Sequence, residues 1–256
     1  MLKNNLLGLS MTISKLIIPF FCFLLFSAES KAWTYGEFIS CDALNPRPII
    51  TFKTSYGQLV HDFSTPQKEI QSKSTHTPEK GFFTTGLATV KVPSQIWLKS
   101  VQIRKLDENN TCVMPKEIEV TFSYEDPVIY VSSEFDYNSC QFSQILRHEQ
   151  THQRINKLTL EYFLPLIHKT LKKTIREVRS IKVPSPDHAQ EGMKLLQKYY
   201  RIKLTPIIEE YEKARKNEQK KLDNLTNYTM ESELCHEFNR KHPEKPVFKK
   251  DVKPLW

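Results

Sequence analysis

The sequence predicts an α+β fold: a mostly antiparallel N-terminal sheet (residues 33–137) followed by a helical C-terminal part (residues 138–241), the two forming one domain. Three observations predict it. Short β-rich runs separated by polar breaks fill the first part, helical periodicity takes over after residue 138, and strands come before helices rather than alternating with them. At 256 residues, 39% apolar and 26% charged, the chain is long enough for a packed core and has ordinary globular composition.

Residues 1–32 stand apart from the fold. Lys3 and Lys15 flank a polar opening, and residues 16–28 (LIIPFFCFLLFSA) form an apolar run. Ser30-Lys31-Ala32 then places small residues where a signal peptidase reads. A membrane span needs about 20 apolar residues; this run is shorter and contains Pro19. The reading is a signal peptide cleaved before Trp33, hence an exported protein, periplasmic or extracellular, that meets a membrane only through this segment.

Strands are expected at 48–54, 86–92, 96–104, 111–124 with Pro115 inside, and 128–132. Ile118, Val120 and Phe122 alternate with Glu117, Glu119 and Thr121, the pattern of a half-buried strand. Residues 61–81 are polar with two prolines, a surface connection with room for one short helix. The first long helix starts at Asn138 or Ser139, either of which can cap it, with Gln141 suited to a capping box. Phe142, Ile145, Leu146, Ile155 and Leu158 recur at helical spacing, and Pro165 is expected to end or kink the helix near Tyr162. A second helical run reaches Val178, and Pro184-Ser185-Pro186 breaks the chain. Asp187 then caps a long amphipathic stretch to Leu222, interrupted by Pro206. The tail, residues 242–256, holds three prolines and no periodic pattern.

Export leaves Cys41, Cys112, Cys140 and Cys235 after removal of Cys22, and an even number in an oxidising compartment implies two disulfides. None of them has the C-x₂₋₄-C spacing of a zinc ribbon. The formal charge of +8 is uneven: residues 33–140 carry 10 Lys/Arg against 13 Asp/Glu, and residues 141–256 carry 24 against 15. Such a basic helical half is ordinarily a solvated face, and it also suits an anionic envelope polymer or membrane surface. No nucleic-acid motif accompanies it, so no nucleic-acid partner is expected.

Residues 148–152 read His-Glu-Gln-Thr-His. Four residues apart on a helix is one face, so His148 and His152 can direct their imidazoles to one ion. Glu149 sits one step round, able to reach a water without ligating. That is the donor pattern of hydrolytic zinc: two neutral imidazoles, an open position and a carboxylate general base. The plain alternative is a solvated helix face on which Glu149 pairs with Arg147, Arg154 or a histidine. A third ligand is required, and the metzincin extension is excluded, since Ile155 and Leu158 stand where its glycine and histidine belong. Glu177 on a following helix is a candidate, whereas Glu161 falls about half a turn off the ligand face. His61, His76, His168, His188 and His242 have no partner spacing. The strand at 128–132 just before the helix could be an edge strand that binds a peptide backbone or, given its unbroken apolar run, an interior one. Asn109, Asn224 and Asn227 begin glycosylation sequons, meaningful only in a eukaryotic secretory pathway.

With its preceding apolar strand and Ser-Cys helix start, this segment resembles a bacterial family of exported zinc-dependent proteases. The signature of that family is His-Glu-Gln-Gly-His-Phe-Asp, with a downstream Tyr-Asp-x-x-Thr-x-His element. Residues 222–228 read Leu-Asp-Asn-Leu-Thr-Asn-Tyr, so Asp223 and Thr226 are in register. Thr151, Gln153-Arg154, Leu222 and Tyr228 depart from the pattern, and the resemblance spans residues 86–230. It implies a zincin-like fold with Zn²⁺ as cofactor, His148 and His152 as metal ligands, Glu149 as catalytic base, and hydrolysis of peptide or amide bonds in an envelope peptide or protein. Tyr228, standing where the family has a histidine, is then a third ligand or an oxyanion donor, with Glu231 and His236 as substitute ligands. Cys235 ties this segment down, with Cys140 its expected partner. The rival reading is a non-catalytic, basic envelope-binding protein whose HExxH helix is vestigial.

Overall fold

The computed structural model describes residues 41, 47–74, 83–245 and 247–249. Residues 1–32, the expected signal peptide, lie outside the described residues, as do His76 and most of the tail. The architecture is α+β, with two mixed sheets and four helices.

In the first sheet β4 (Ser94–Lys105) and β5 (Thr111–Phe122) form a long antiparallel hairpin. β1 (Ile49–Lys53) joins the other side of β5 in parallel, and β7 (Ile181–Val183) pairs antiparallel with the first residues of β5. Proline cannot donate to a ladder, and the register shifts around Ser100 fall where β4 passes Pro115. Ile118, Val120 and Phe122 are buried, as their alternation with polar neighbours predicts. The second sheet has β6 (Glu125–Val131) at its centre, parallel to β2 (Val60–Asp62) and antiparallel to β3 (Gly86–Lys91). The sheets are therefore mixed rather than mostly antiparallel. β1 and β2 reach their partners after long excursions, and nothing in their own residues sets the direction of pairing. The strand at 128–132 is interior, so an edge role falls away; β3 lies at the edge instead.

Helix α1 (Gln67–Lys73) is the short helix of the polar connection. Helix α2 (Cys140–Glu177) is capped by Ser139, whose Oγ accepts from the Phe142 N–H at 3.0 Å. Neither proline breaks its helix. Helix α2 continues through Pro165 and α3 (Ala189–Leu222) through Pro206. Both prolines, and the residues four places earlier whose carbonyls lose a donor (Glu161 and Ile202), are exposed, so water can satisfy those carbonyls. On the inner faces Leu160, Phe163, Ile167, Leu171 and Ile175 of α2, and Leu196, Tyr200, Leu204 and Tyr211 of α3, keep their apolar stripes across the break. His188, after a 3₁₀ turn at Pro186–His188, takes the N-cap position of α3 in place of Asp187. Helix α4 (Leu225–Lys241) follows, with the Asn224 side chain accepting from Asn227 N–H.

Disulfides join Cys41 to Cys112 and Cys140 to Cys235. The second is the expected pairing and clamps α4 to the start of α2. Two disulfides fit a protein that folds outside the reducing cytoplasm. Among the described residues, no helix is long and apolar enough to cross a membrane.

Candidate metal centre

Helices α2 and α3 pack antiparallel, so each turn forward on one meets a turn back on the other. Phe163 meets Tyr211, Asn156 meets Arg215, and His152 meets Gln219. One further turn puts Asp223, the C-cap residue of α3, beside His148. Helix α4 then runs on alongside the first turns of α2 towards Cys140, which brings Tyr228 and Glu231 to the same place.

Three donor atoms converge there. Asp223 Oδ1 lies 3.1 Å from His148 Nε2 and 2.9 Å from His152 Nε2, and the two imidazole nitrogens are 3.1 Å apart. Tetrahedral coordination at about 2.0–2.1 Å would set donors about 3.3 Å apart, so the cluster has nearly the spacing of three corners of such a site. His148, His152 and Asp223 together form a group that can hold a metal ion.

The hydrogen bonds behind the histidines decide which nitrogens are free to ligate. His148 Nδ1 is 3.2 Å from Glu231 Oε1, and an ionised carboxylate only accepts, so Nδ1 carries the hydrogen. Gln219 donates its Nε2 hydrogens to His152 O at 3.2 Å and Asn156 Oδ1 at 2.8 Å, which leaves its Oε1 to accept from His152 Nδ1. Both Nε2 atoms are then bare lone pairs, aimed with a carboxylate oxygen at one point. Three such lone pairs cannot satisfy one another. They require a positive charge between them, either a proton on one imidazole or a cation.

The electrostatics agree. Burial opposes a charged His148, yet the hydrogen bond to Asp223 and the charges of Glu149 and Glu231 raise it to about 9. His152 is raised too, burial being outweighed by Asp223 and Glu149. Burial works to raise Asp223, but its close contacts with both histidines, favourable once the imidazoles carry positive charge, hold it well below the usual carboxylate range. The site therefore selects positive charge at its centre.

Glu149 is buried, and burial lifts its carboxyl to about 7 against the attraction of His152 and His148. It accepts from the backbone N–H of Ala88 on β3. Gly86 permits that approach: a Cβ there would lie 2.7 Å from Glu149 Oε1 and 2.5 Å from Ile145 Cγ2. Gln153 donates to Thr89 O at 2.8 Å, fixing α2 to the same strand.

Of the expected site residues, the fold brings together His148, Glu149, His152 and Tyr228. Tyr228 stacks on His148 with ring centroids 5.3 Å apart, and its hydroxyl donates to Asp223 Oδ1 at 2.9 Å. Burial and Asp223 push its phenol above the ordinary range, so it keeps its proton. Its hydroxyl is linked to the donor cluster through Asp223. Glu231 contacts His148 from behind, at the nitrogen that does not face the cluster. His236 is exposed on α4 outside the cluster, Glu177 pairs with Lys173 at the far end of α2, and Glu161 pairs with Lys157. His61, His168, His188 and His242 contact other groups: Phe63, Phe52, Ser185 and Glu244. Asp223 stood in the sequence only as a residue in register with the downstream element, and Gln219 carried no signal at all. In comparisons with known proteins, no family model, curated protein or solved structure matches the chain.

Proposed function

We propose that the protein is an exported zinc-dependent hydrolase of peptide or amide bonds, with a zincin-like arrangement around the HExxH helix. The observation that carries this reading is the donor set. Two Nε2 lone pairs and one carboxylate oxygen converge beside a buried glutamate that is not a member of the set. Two imidazoles and a carboxylate suit zinc, and three protein ligands leave a fourth position open. Bound zinc would supply Lewis acidity there, acidifying water and polarising a carbonyl.

The chain's own residues do the rest. Glu149, held by the Ala88 N–H, takes a proton from the attacking water and returns it to the leaving amine. Glu231 and Gln219 keep the hydrogens of the histidines on Nδ1. Tyr228 fixes Asp223. The partial match to the exported protease family, in which Asp223 and Thr226 fall in register, adds support from sequence.

The test is metal content by mass spectrometry on the disulfide-bonded protein, beside the His148→Ala/His152→Ala double variant, followed by a peptide-library cleavage screen with Glu149→Gln as control. About one zinc per chain, lost in the double variant, with cleavage abolished by Glu149→Gln at unchanged zinc content, is the expected result. No metal uptake at neutral pH with zinc supplied would overturn the reading.

A further inference from the structure

Far from the metal centre the structure carries a second feature that the hydrolase reading does not use. Arg47, from the segment leading into β1, faces Lys172, Arg176 and Arg179 of the α2 C-terminal region across a cavity of about 440 Å³. Pro48, Ile50 and Ile175 supply its apolar wall. No carboxylate lines it among the described residues. Lys172 and Arg176 lie 20 and 24 residues beyond His152 on the same helix, about 30–36 Å away at 1.5 Å per residue.

Some cations elsewhere in the helical half are neutralised by a neighbour on their own helix. Lys157, Lys173, Arg215, Lys221 and Lys241 each pair with a glutamate three or four residues away. Among the described residues Arg47, Lys172 and Arg176 make no ion pair; the Arg176 Nε donates only to the Lys172 carbonyl. A helix C-terminus favours cations, which accounts for Lys172 and Arg176 but not for Arg47 on the opposite wall. Like charges gathered round one cavity repel unless an anion lies between them. The neighbouring His168, packed on Phe52, is held below the ordinary imidazole range by burial and then by the Lys172 charge.

We infer that this cavity is a binding site for an oxyanion, a sulfate- or phosphate-type group carrying a short apolar portion. Guanidinium groups from two elements can fork onto its oxygens while Pro48, Ile50 and Ile175 take the apolar part. The inference is independent of metal and of hydrolysis. The same headgroup chemistry could come from a free small molecule or from an anionic envelope lipid.

The experiment is calorimetric titration of the disulfide-bonded protein with inorganic sulfate and with butyl sulfate, both poor zinc ligands, at low salt. The variants are Arg47→Gln/Arg176→Gln and Lys172→Gln. The charge-matched control is Lys173→Gln/Lys221→Gln. Butyl sulfate should bind more tightly than sulfate. The cavity double variant should weaken it about tenfold or more, Lys172→Gln by less, and the control hardly at all. Equal losses in the cavity and control variants, or no butyl sulfate binding to the wild-type protein, would overturn the inference. Co-sedimentation with phosphatidylglycerol vesicles, against phosphatidylcholine vesicles, separates the sources. Cavity-dependent capture that butyl sulfate competes away assigns a lipid headgroup, and butyl sulfate binding without capture assigns a free anion.

Discussion

The two halves of α2, before and after Pro165, both bury apolar side chains, among them Phe142, Leu160 and Phe163 in the first, but only the first buries ionisable groups. The first half buries His148, Glu149 and Asn156, each tied to groups on β3, α3 or α4. The second half buries Ile167, Leu171 and Ile175 and keeps its cations outside. One helix thus serves as site scaffold at one end and as core at the other. The difference teaches that the first half adds specific polar partners to packed area, whereas the second relies on packed area alone.

That contrast can be broken at either end. Asp223→Ala should have the largest effect, because it leaves two imidazoles without their common carboxylate. Zinc content should fall from about one per chain to near zero, measured by mass spectrometry, with the helices intact by circular dichroism. Leu171→Ala attacks the other half: it should cost about 2–5 kcal/mol in denaturant unfolding and leave zinc content unchanged. If Leu171→Ala also removed the metal, the halves would not be separable. Gly86→Ala forces a methyl group against Ile145 and Glu149. It should cost about 1–3 kcal/mol and lower cleavage while zinc is retained, which distinguishes displacement of the base from loss of the ligands.

Gln219→Leu removes the acceptor behind His152 without touching the converging donors. Zinc affinity, read by competition with a chromophoric chelator, should weaken about 10–100-fold; an unchanged affinity would show that His152 is held by packing alone. The smallest effect belongs to Ser139→Ala. Loss of the cap bond to Phe142 N–H should cost about 1 kcal/mol, seen as a lower denaturant midpoint with zinc content unaffected.

Much of the fold was legible because the relevant physics is local. Alternation marked β5, the cap marked the start of α2, and the spacing of His148 and His152 placed two imidazoles on one helix face. The helix end expected at Pro165 and the interruption expected at Pro206 do not occur, for an instructive reason. A proline's penalty is local, but its relief depends on which side of the helix meets water. β2 and β7, three residues each, are too short to carry a pattern and exist through pairing with β6 and β5. The pairing directions of β1 and β2 were equally out of reach.

By itself, the sequence determined the α+β class and the pair of histidines with their neighbouring carboxylate, because residues up to four apart on a helix have fixed relative positions. Only the tertiary structure decided that Asp223 completes the donor set and that Tyr228 supports it. It also decided that Gln219 and Glu231 hold the histidine hydrogens away from the centre. Those residues lie 67 to 83 positions from their partners. Their meeting depends on the register of an antiparallel helix pair and on a turn clamped by Cys140–Cys235, which side-chain packing sets and no local spacing encodes.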